Sequence, residues 1–152
     1  MTLYCGNTTP ITTPEIIQAP YTKDFGQGFY CTCDFTQAAR WAIIGHRDGV
    51  VNIYEYTEPI SLKIKKFPKM SDEWIDFIAA GRVGKSHDYD IVEGPMVDDT
   101  IWSYVNDFLD GDISREAFWA LVKGKNPARQ VSFHTEKALQ SLTFVKWTKA
   151  FH

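Results

Sequence analysis

No run of this 152-residue chain approaches the roughly 20 consecutive apolar residues that a membrane helix needs. The N-terminus lacks a basic segment followed by an apolar run, so no secretory signal is expected. Cysteine is scarce and odd in number. The three residues, at 5, 31 and 33, cannot all pair within the chain, and such usage suits a reducing compartment. The expected location is the cytoplasm, without membrane association. Positive charge is not in excess. Net charge is −3, with no basic tail or stripe, which argues against bulk binding of nucleic acid through phosphates. The local cluster Lys63, Lys65 and Lys66 alternates along a strand and reads as a solvated face. Metal ligands are thinly spread. Cys31-x-Cys33 puts two thiols on one face of a strand, but a zinc site needs two further ligands, and His46, His87 and His134 are scattered. No metal site is expected. Repeats, low-complexity tracts and long linkers are also absent, so residues 1–152 read as a single domain.

What is present suits a globular fold. Hydrophobic residues make up 44% and charged residues 23%, enough for a sizeable core. Aromatics reach 14%, with five Trp, and large rings can build a core or line a ligand cleft.

Local signals then divide the chain. Leu3 to Asn7 reads as a strand running into a turn at Gly6, and residues 8–22, rich in Thr and Pro, read as a loop. Asp34 caps a helix, with Gln37 at the capping-box position, Ala38, Trp41 and Ala42 on one face, and Gly45 as the stop. Val50 to Tyr56 and Leu62 to Phe67 read as strands. Ser71 caps a helix carrying Trp74, Phe77 and Ile78 and ending at Gly81. Tyr89 to Val92 is a short strand closed by Gly94-Pro95. Asp98 and Asp99 favour the N-terminus of a helix that carries Ile101, Trp102, Val105, Phe108 and Leu109 and stops at Gly111. Ser114 starts a helix through Val122, and Gln130 to Phe133 is a strand. Thr135 caps a helix through Leu142, and Phe144 to Trp147 is the last strand. The order lacks a regular βαβ rhythm, which predicts α+β with a largely antiparallel sheet.

The chemistry concentrates in two segments. Asp24-Phe25-Gly26-Gln27-Gly28-Phe29-Tyr30 is a Gly-x-Gly loop feeding a short strand, and it follows Leu3-Tyr4-Cys5-Gly6-Asn7. Glycine permits positive φ and close approach of a ligand to the backbone, although an ordinary hairpin turn uses the same pattern. A third Gly and a preceding apolar strand are missing, so this is not a dinucleotide fingerprint of the Rossmann kind. Several other residues have plain structural readings. Cys5 reads as a small buried hydrophobe with no neighbouring base to activate it. His134 alternates with Phe133 and reads as structural or surface. His46 and His87 fall in loops, and Asp88 and Asp90 read as solubilising charges at a strand edge.

Taken together, the two segments resemble the nicotinamide pocket of the diphtheria-toxin and poly(ADP-ribose) polymerase type of ADP-ribosyltransferase, with its Leu-x-His-Gly-Ser and Gly-x-Gly-[Ile/Phe]-Tyr segments. The full chain resembles a small, toxin-like bacterial family within that superfamily. Tyr89-Asp90-Ile91-Val92-Glu93-Gly94-Pro95 and Phe133-His134-Thr135-Glu136-Lys137-Ala138-Leu139 carry that likeness. The resemblance implies a split, largely antiparallel sheet of ADP-ribosyltransferase type with flanking helices. It also implies NAD as substrate, a protein or nucleic acid as ADP-ribose acceptor, and a small antitoxin as partner. Tyr30 and Trp41, eleven residues apart, would sandwich the nicotinamide ring, as stacking of a flat cation between two π faces requires. Tyr4, Gly6, Asn7, Gly28 and Thr32 would complete the NAD site.

Two catalytic positions depart from that pattern. Gln130 stands where a strand Glu is expected to orient a ribose hydroxyl and stabilise an oxocarbenium-like transition state. Glu136 is the alternative acid, although it reads as a first-turn helix Glu favoured by the dipole rather than a catalytic group. Cys5 stands where the His that bonds ribose is expected, and a thiol is a poor donor. Three readings follow: an ADP-ribosyltransferase, a binding module that has lost catalysis, and a structural protein in which Tyr30 and Trp41 are packed core.

Overall fold

A computed structural model of the chain describes residues 1–16, 18, 23–44 and 48–151. Gly45 and His46, expected as a helix stop and a loop histidine, lie outside the described residues, as does part of the 8–22 loop. The elements run β1 (Thr2–Asn7), β2 (Phe29–Thr32), α1 (Phe35–Ile43), β3 (Val50–Tyr56), β4 (Ile64–Lys66), α2 (Asp72–Arg82), β5 (Ile91–Pro95), α3 (Trp102–Leu109), α4 (Arg115–Val122), β6 (Arg129–Phe133), α5 (Glu136–Leu139) and β7 (Leu142–Lys149). Among the described residues the fold is α+β. Seven strands form one open sheet in the order β4-β5-β6-β2-β1-β3-β7, and the β4–β5 pair alone is parallel.

Alternation along the strands sends side chains to two faces. One face carries Leu3, Phe29, Cys31, Tyr54, Ile91, Val131 and Phe133, and Ala138 and Leu139 of α5 pack on it. The other carries Tyr30 and Val92, covered by α2, α3 and α4 through Trp74, Ile75, Ile78, Val105, Phe118 and Val122. On the β1–β3 half of that second face lies α1, which buries Ala38, Ala39 and Ala42 against Val51. Its small residues allow the helix backbone to sit almost on the sheet. A Cβ built at Gly6 would lie 1.9 Å from the carbonyl oxygen of Ala38 and 2.8 Å from the Ala42 nitrogen.

The helix starts follow their caps. Asp34 accepts from Thr36 N–H, Ser71 from Trp74 N–H, Ser114 from Ala117 N–H and Thr135 from Ala138 N–H, which satisfies a free donor at each first turn. Trp74 adds a long-range tie, donating from its indole N–H to the Pro95 carbonyl at 2.8 Å.

Several boundaries differ from expectation. Gly6 does not begin a turn but lies within β1, opposite Val51. Helix α2 passes through Gly81 to Arg82, and the turn comes at Gly84, whose φ is +86°. Gly94-Pro95 belongs to β5, opposite Gln130 and Arg129, and the missing proline N–H is tolerated at the strand end, with Met96 N–H donating to the Ala128 carbonyl just beyond it. Strand β4 is confined to Ile64–Lys66, and Ile101 precedes α3 as its cap residue. Helix α5 ends at Leu139, and Leu142 already pairs with Tyr56 in β7. Cys31 is buried in β2, whereas Cys33 lies beyond the strand end and is exposed, so the two thiols do not share a face of the sheet.

Candidate active site

The weakest seam of the sheet lies between β1 and β2. Their register is a single pair, Tyr4 opposite Thr32, while β1 pairs with β3 at six positions and β2 with β6 at four. Beyond that pair Cys5-Gly6-Asn7 and Gly28-Phe29-Tyr30 line opposite flanks of a cavity of about 570 Å3. Trp41 and Ala42 of α1 form one wall. Arg82 at the end of α2, with Val97 and Trp102 before and at the start of α3, forms another, and Gln130 of β6 lies deeper.

This cavity unites seven of the residues singled out from sequence: Cys5, Gly6, Asn7, Gly28, Tyr30, Trp41 and Gln130. Three others lie elsewhere. Tyr4 packs edge-on against Phe35, ring centroids 5.5 Å apart. Thr32 is fully buried; its hydroxyl donates to the Arg129 carbonyl and accepts from Asp34 N–H, which ties β2 to β6 and to the start of α1. Glu136 opens α5, whose Ala138 and Leu139 pack on the face of the sheet opposite to Tyr30.

Tyr30 is held at both ends. Its hydroxyl donates to the Gly26 carbonyl at 2.6 Å and accepts from Phe25 N–H at 2.9 Å. Burial, with Asp24 nearby, pushes its ionisation well above the ordinary tyrosine range, so the group is a neutral strut rather than a base. The ring is buried in the core at 9% exposure, at the edge of the cavity, and the Lys23 ammonium stands 5.0 Å over its centroid. Trp41 is half-buried, and no ring contact joins it to Tyr30 among the described residues.

The two glycines of the loop have separate causes. Gly26 has φ +92°, which L side chains resist. Gly28 has ordinary φ, but a Cβ there would meet the Phe133 carbonyl oxygen at 2.6 Å and His134 Nδ1 at 2.9 Å. Packing of β2 against β6 therefore requires glycine at 28 without any ligand.

Cys5 is buried, and burial pushes its thiol up to about 12. It stays protonated at neutral pH, and its one described bond is a weak 3.8 Å contact from Sγ to the Gly6 carbonyl. It is neither a nucleophile nor a substitute for a histidine donor.

Sequence reading passed over Asp24, Lys23, Arg82 and Trp102, all of which border the cavity. Asp24 Oδ2 accepts from Val97 N–H at 2.8 Å and from Gln130 Nε2 at 2.9 Å. Partial burial raises its ionisation above the usual carboxylate range, while the hydrogen bonds from Val97 and Gln130 and the charges of Arg82 and Lys23 pull the other way. Arg82 donates from Nη1 to Asn106 at 3.1 Å, while its Nε is buried without a partner among the described residues.

A protein-family profile described as "Protein of unknown function (DUF3990)" matches residues 1–144. The chain belongs to this family. Searches of curated proteins and of solved structures found no match. In this DUF3990 chain the family profile therefore spans the cavity and the whole sheet down to the first residues of β7.

Behind the loop lies a second cavity of about 560 Å3, bordered by Gly26, Gln27, Phe77, His87 and His134. His134 Nδ1 donates to the Gln27 carbonyl at 2.7 Å, so Nε2 is the acceptor facing the Ser132 hydroxyl, also at 2.7 Å. Burial lowers its pKa to about 4 from the model-compound value of 6.5, and His87, with ring centroids 4.5 Å away, adds to the effect. Because the folded state resists protonation, the stabilisation is complete above pH 6.5 and declines as pH falls towards 4. The loss over that interval is expected to be about 3 kcal/mol. Urea unfolding at pH 7 and pH 5 should show it, and His134→Gln should flatten the difference. An unchanged slope in the variant would assign the pH dependence to other groups.

Proposed function

We propose that this protein is an NAD-dependent ADP-ribosyltransferase of toxin-like type. It cleaves the bond between nicotinamide and ribose and transfers ADP-ribose to a macromolecule, protein or nucleic acid. What carries the reading is one observation: two segments far apart in sequence, with Trp41 and Gln130, border a single cavity. The Tyr30 face already attracts a cation, Lys23, and a nicotinamide ring presents a flat cation of the same charge. When the ring stacks there, Lys23 swings aside. Lys23 and Arg82 then offer two positive charges to the diphosphate. The backbone at Gly6 addresses the nicotinamide amide, and the Gln130 amide addresses a ribose hydroxyl. A small antitoxin is the partner that the resemblance implies.

The purified protein should release nicotinamide from NAD, most strongly with a cell lysate supplying acceptor. Trp41→Ala, at a half-buried site, should lower the rate about tenfold while the melting temperature changes little. Intact NAD under every acceptor condition would refute transfer.

A second reading has its own observation. The buried neutral thiol of Cys5 removes the donor expected against the ribose. Binding without turnover would result, because catalysis needs contacts that strengthen in the transition state. Calorimetry showing NAD bound and unconsumed would select this reading.

A further inference from the structure

The cavity contains a carboxylate to which the resemblance gives no role. Asp24 precedes the Gly-x-Gly loop, borders the cavity beside Tyr30, and receives a hydrogen bond from the side chain at the position where an acid is expected. The arrangement is complementary in charge. A Glu at position 130 would stand against Asp24 as a second carboxylate, whereas the Gln130 amide donates to it at 2.9 Å. Val97 N–H, from the segment between β5 and α3, donates to the same oxygen at 2.8 Å. The carboxylate is thus fixed from two walls by donors and flanked by the cations Lys23 and Arg82.

We propose that Asp24 is the catalytic carboxylate of this site, standing against the ribose and carrying the negative charge that Gln130 lacks, with Gln130 as its positioning residue. The inference rests on the NAD reading above. In the reaction the bond from ribose C1′ to the pyridine nitrogen breaks, and its electron pair passes to nitrogen, which neutralises the departing nicotinamide. The positive charge left on C1′ and the ring oxygen faces the Asp24 carboxylate, and fixed charges aimed at developing charge are an effective form of catalysis. A nucleophilic oxygen or nitrogen of the acceptor forms the new bond to C1′ and gives its proton to Asp24, which returns it to water.

The chemistry requires Asp24 ionised. The groups facing it are Lys23 on its own loop, Arg82 on α2 and Tyr30 on β2, with the uncharged Gln130 on β6. The test measures nicotinamide release from NAD between pH 3.5 and 9 for the wild type, Asp24→Asn and Asp24→Glu, with NAD affinity by calorimetry and melting temperature at each pH alongside. Asparagine keeps an acceptor oxygen for Val97 and Gln130, so it should preserve fold and NAD affinity while kcat falls roughly 100-fold. Glutamate should recover part of the loss. The wild-type rate should drop on the acid side with a midpoint above the usual aspartate value of about 3.9. Asp24→Asn turning over within threefold of wild type overturns the assignment and leaves the NAD reading standing. A loss expressed entirely in NAD affinity makes Asp24 a binding group and overturns it equally. If the variants fail to fold, the wild-type profile decides: an acid limb where the melting temperature shows the wild type still folded supports the assignment, and a flat profile overturns it. A wild type that releases no nicotinamide removes both readings, an outcome distinct from the others.

Discussion

Gly6→Ala will lower the melting temperature by roughly 10 °C. The added methyl would lie 1.9 Å from the Ala38 carbonyl oxygen and 3.0 Å from its carbon, both backbone atoms of α1. Neither neighbour can yield cheaply. Strand β1 is laddered to β3 at six positions, and α1 has its own buried alanines against Val51. Relief requires the helix to lift from the sheet, which exposes Ala38 and Ala42 and shifts Trp41 with them. Overpacking of this kind costs about 3 kcal/mol. For a domain of this size that corresponds to a melting temperature roughly 10 °C lower. Gly84→Ala supplies the contrast, because no atom lies within 4 Å of its Cβ and only the positive φ resists substitution. It should cost about 1 kcal/mol. Equal shifts for the two variants would mean that close approach of the helix is not what requires glycine at 6.

The second large effect is expected at Tyr30. Truncation to alanine removes a buried ring and a hydroxyl with two bonds, and leaves the buried Phe25 N–H without an acceptor. Loss of an aromatic core side chain costs about 3–5 kcal/mol. Nicotinamide release should fall to the uncatalysed level. Stability and activity are then lost together, so the informative companion is Tyr30→Phe. It keeps the ring for stacking but orphans Phe25 N–H and the Gly26 carbonyl, at a cost of about 1–3 kcal/mol. Chemical denaturation should rank the three proteins in that order, and Tyr30→Phe should retain NAD binding. A phenylalanine variant as inactive as the alanine one would place the function of Tyr30 in its hydroxyl.

The parts of the fold legible in the sequence were those fixed by neighbours in the chain. Asp34, Ser71, Ser114 and Thr135 each reach a backbone N–H two or three residues on, and each was readable as a cap. The β-branched and aromatic run from Val50 to Tyr56 marked β3 at both ends. Where partners are distant, local reading failed. Gly94-Pro95 looks like punctuation until β6 is found beside it. The same holds for the site. Gly6, Tyr30 and Trp41 stand out through the resemblance of their segments to a known family. Asp24 does not, because its partners Val97 and Gln130 are 73 and 106 residues away. Glycine at 28 lines the cavity, and β6 supplies a reason for it that no local pattern shows, since Phe133 and His134 fill the space that a side chain would occupy.

The single pair joining β1 to β2 has a mechanical consequence. A sheet laddered firmly on both sides of a one-pair junction bends there first, since few backbone bonds resist it. The width of the cavity then varies with the curvature of the sheet at that junction. Two stiff leaves joined at Tyr4 and Thr32 act as the jaws of a clip, with the ring of Tyr30 on one jaw and the backbone of Gly6 on the other.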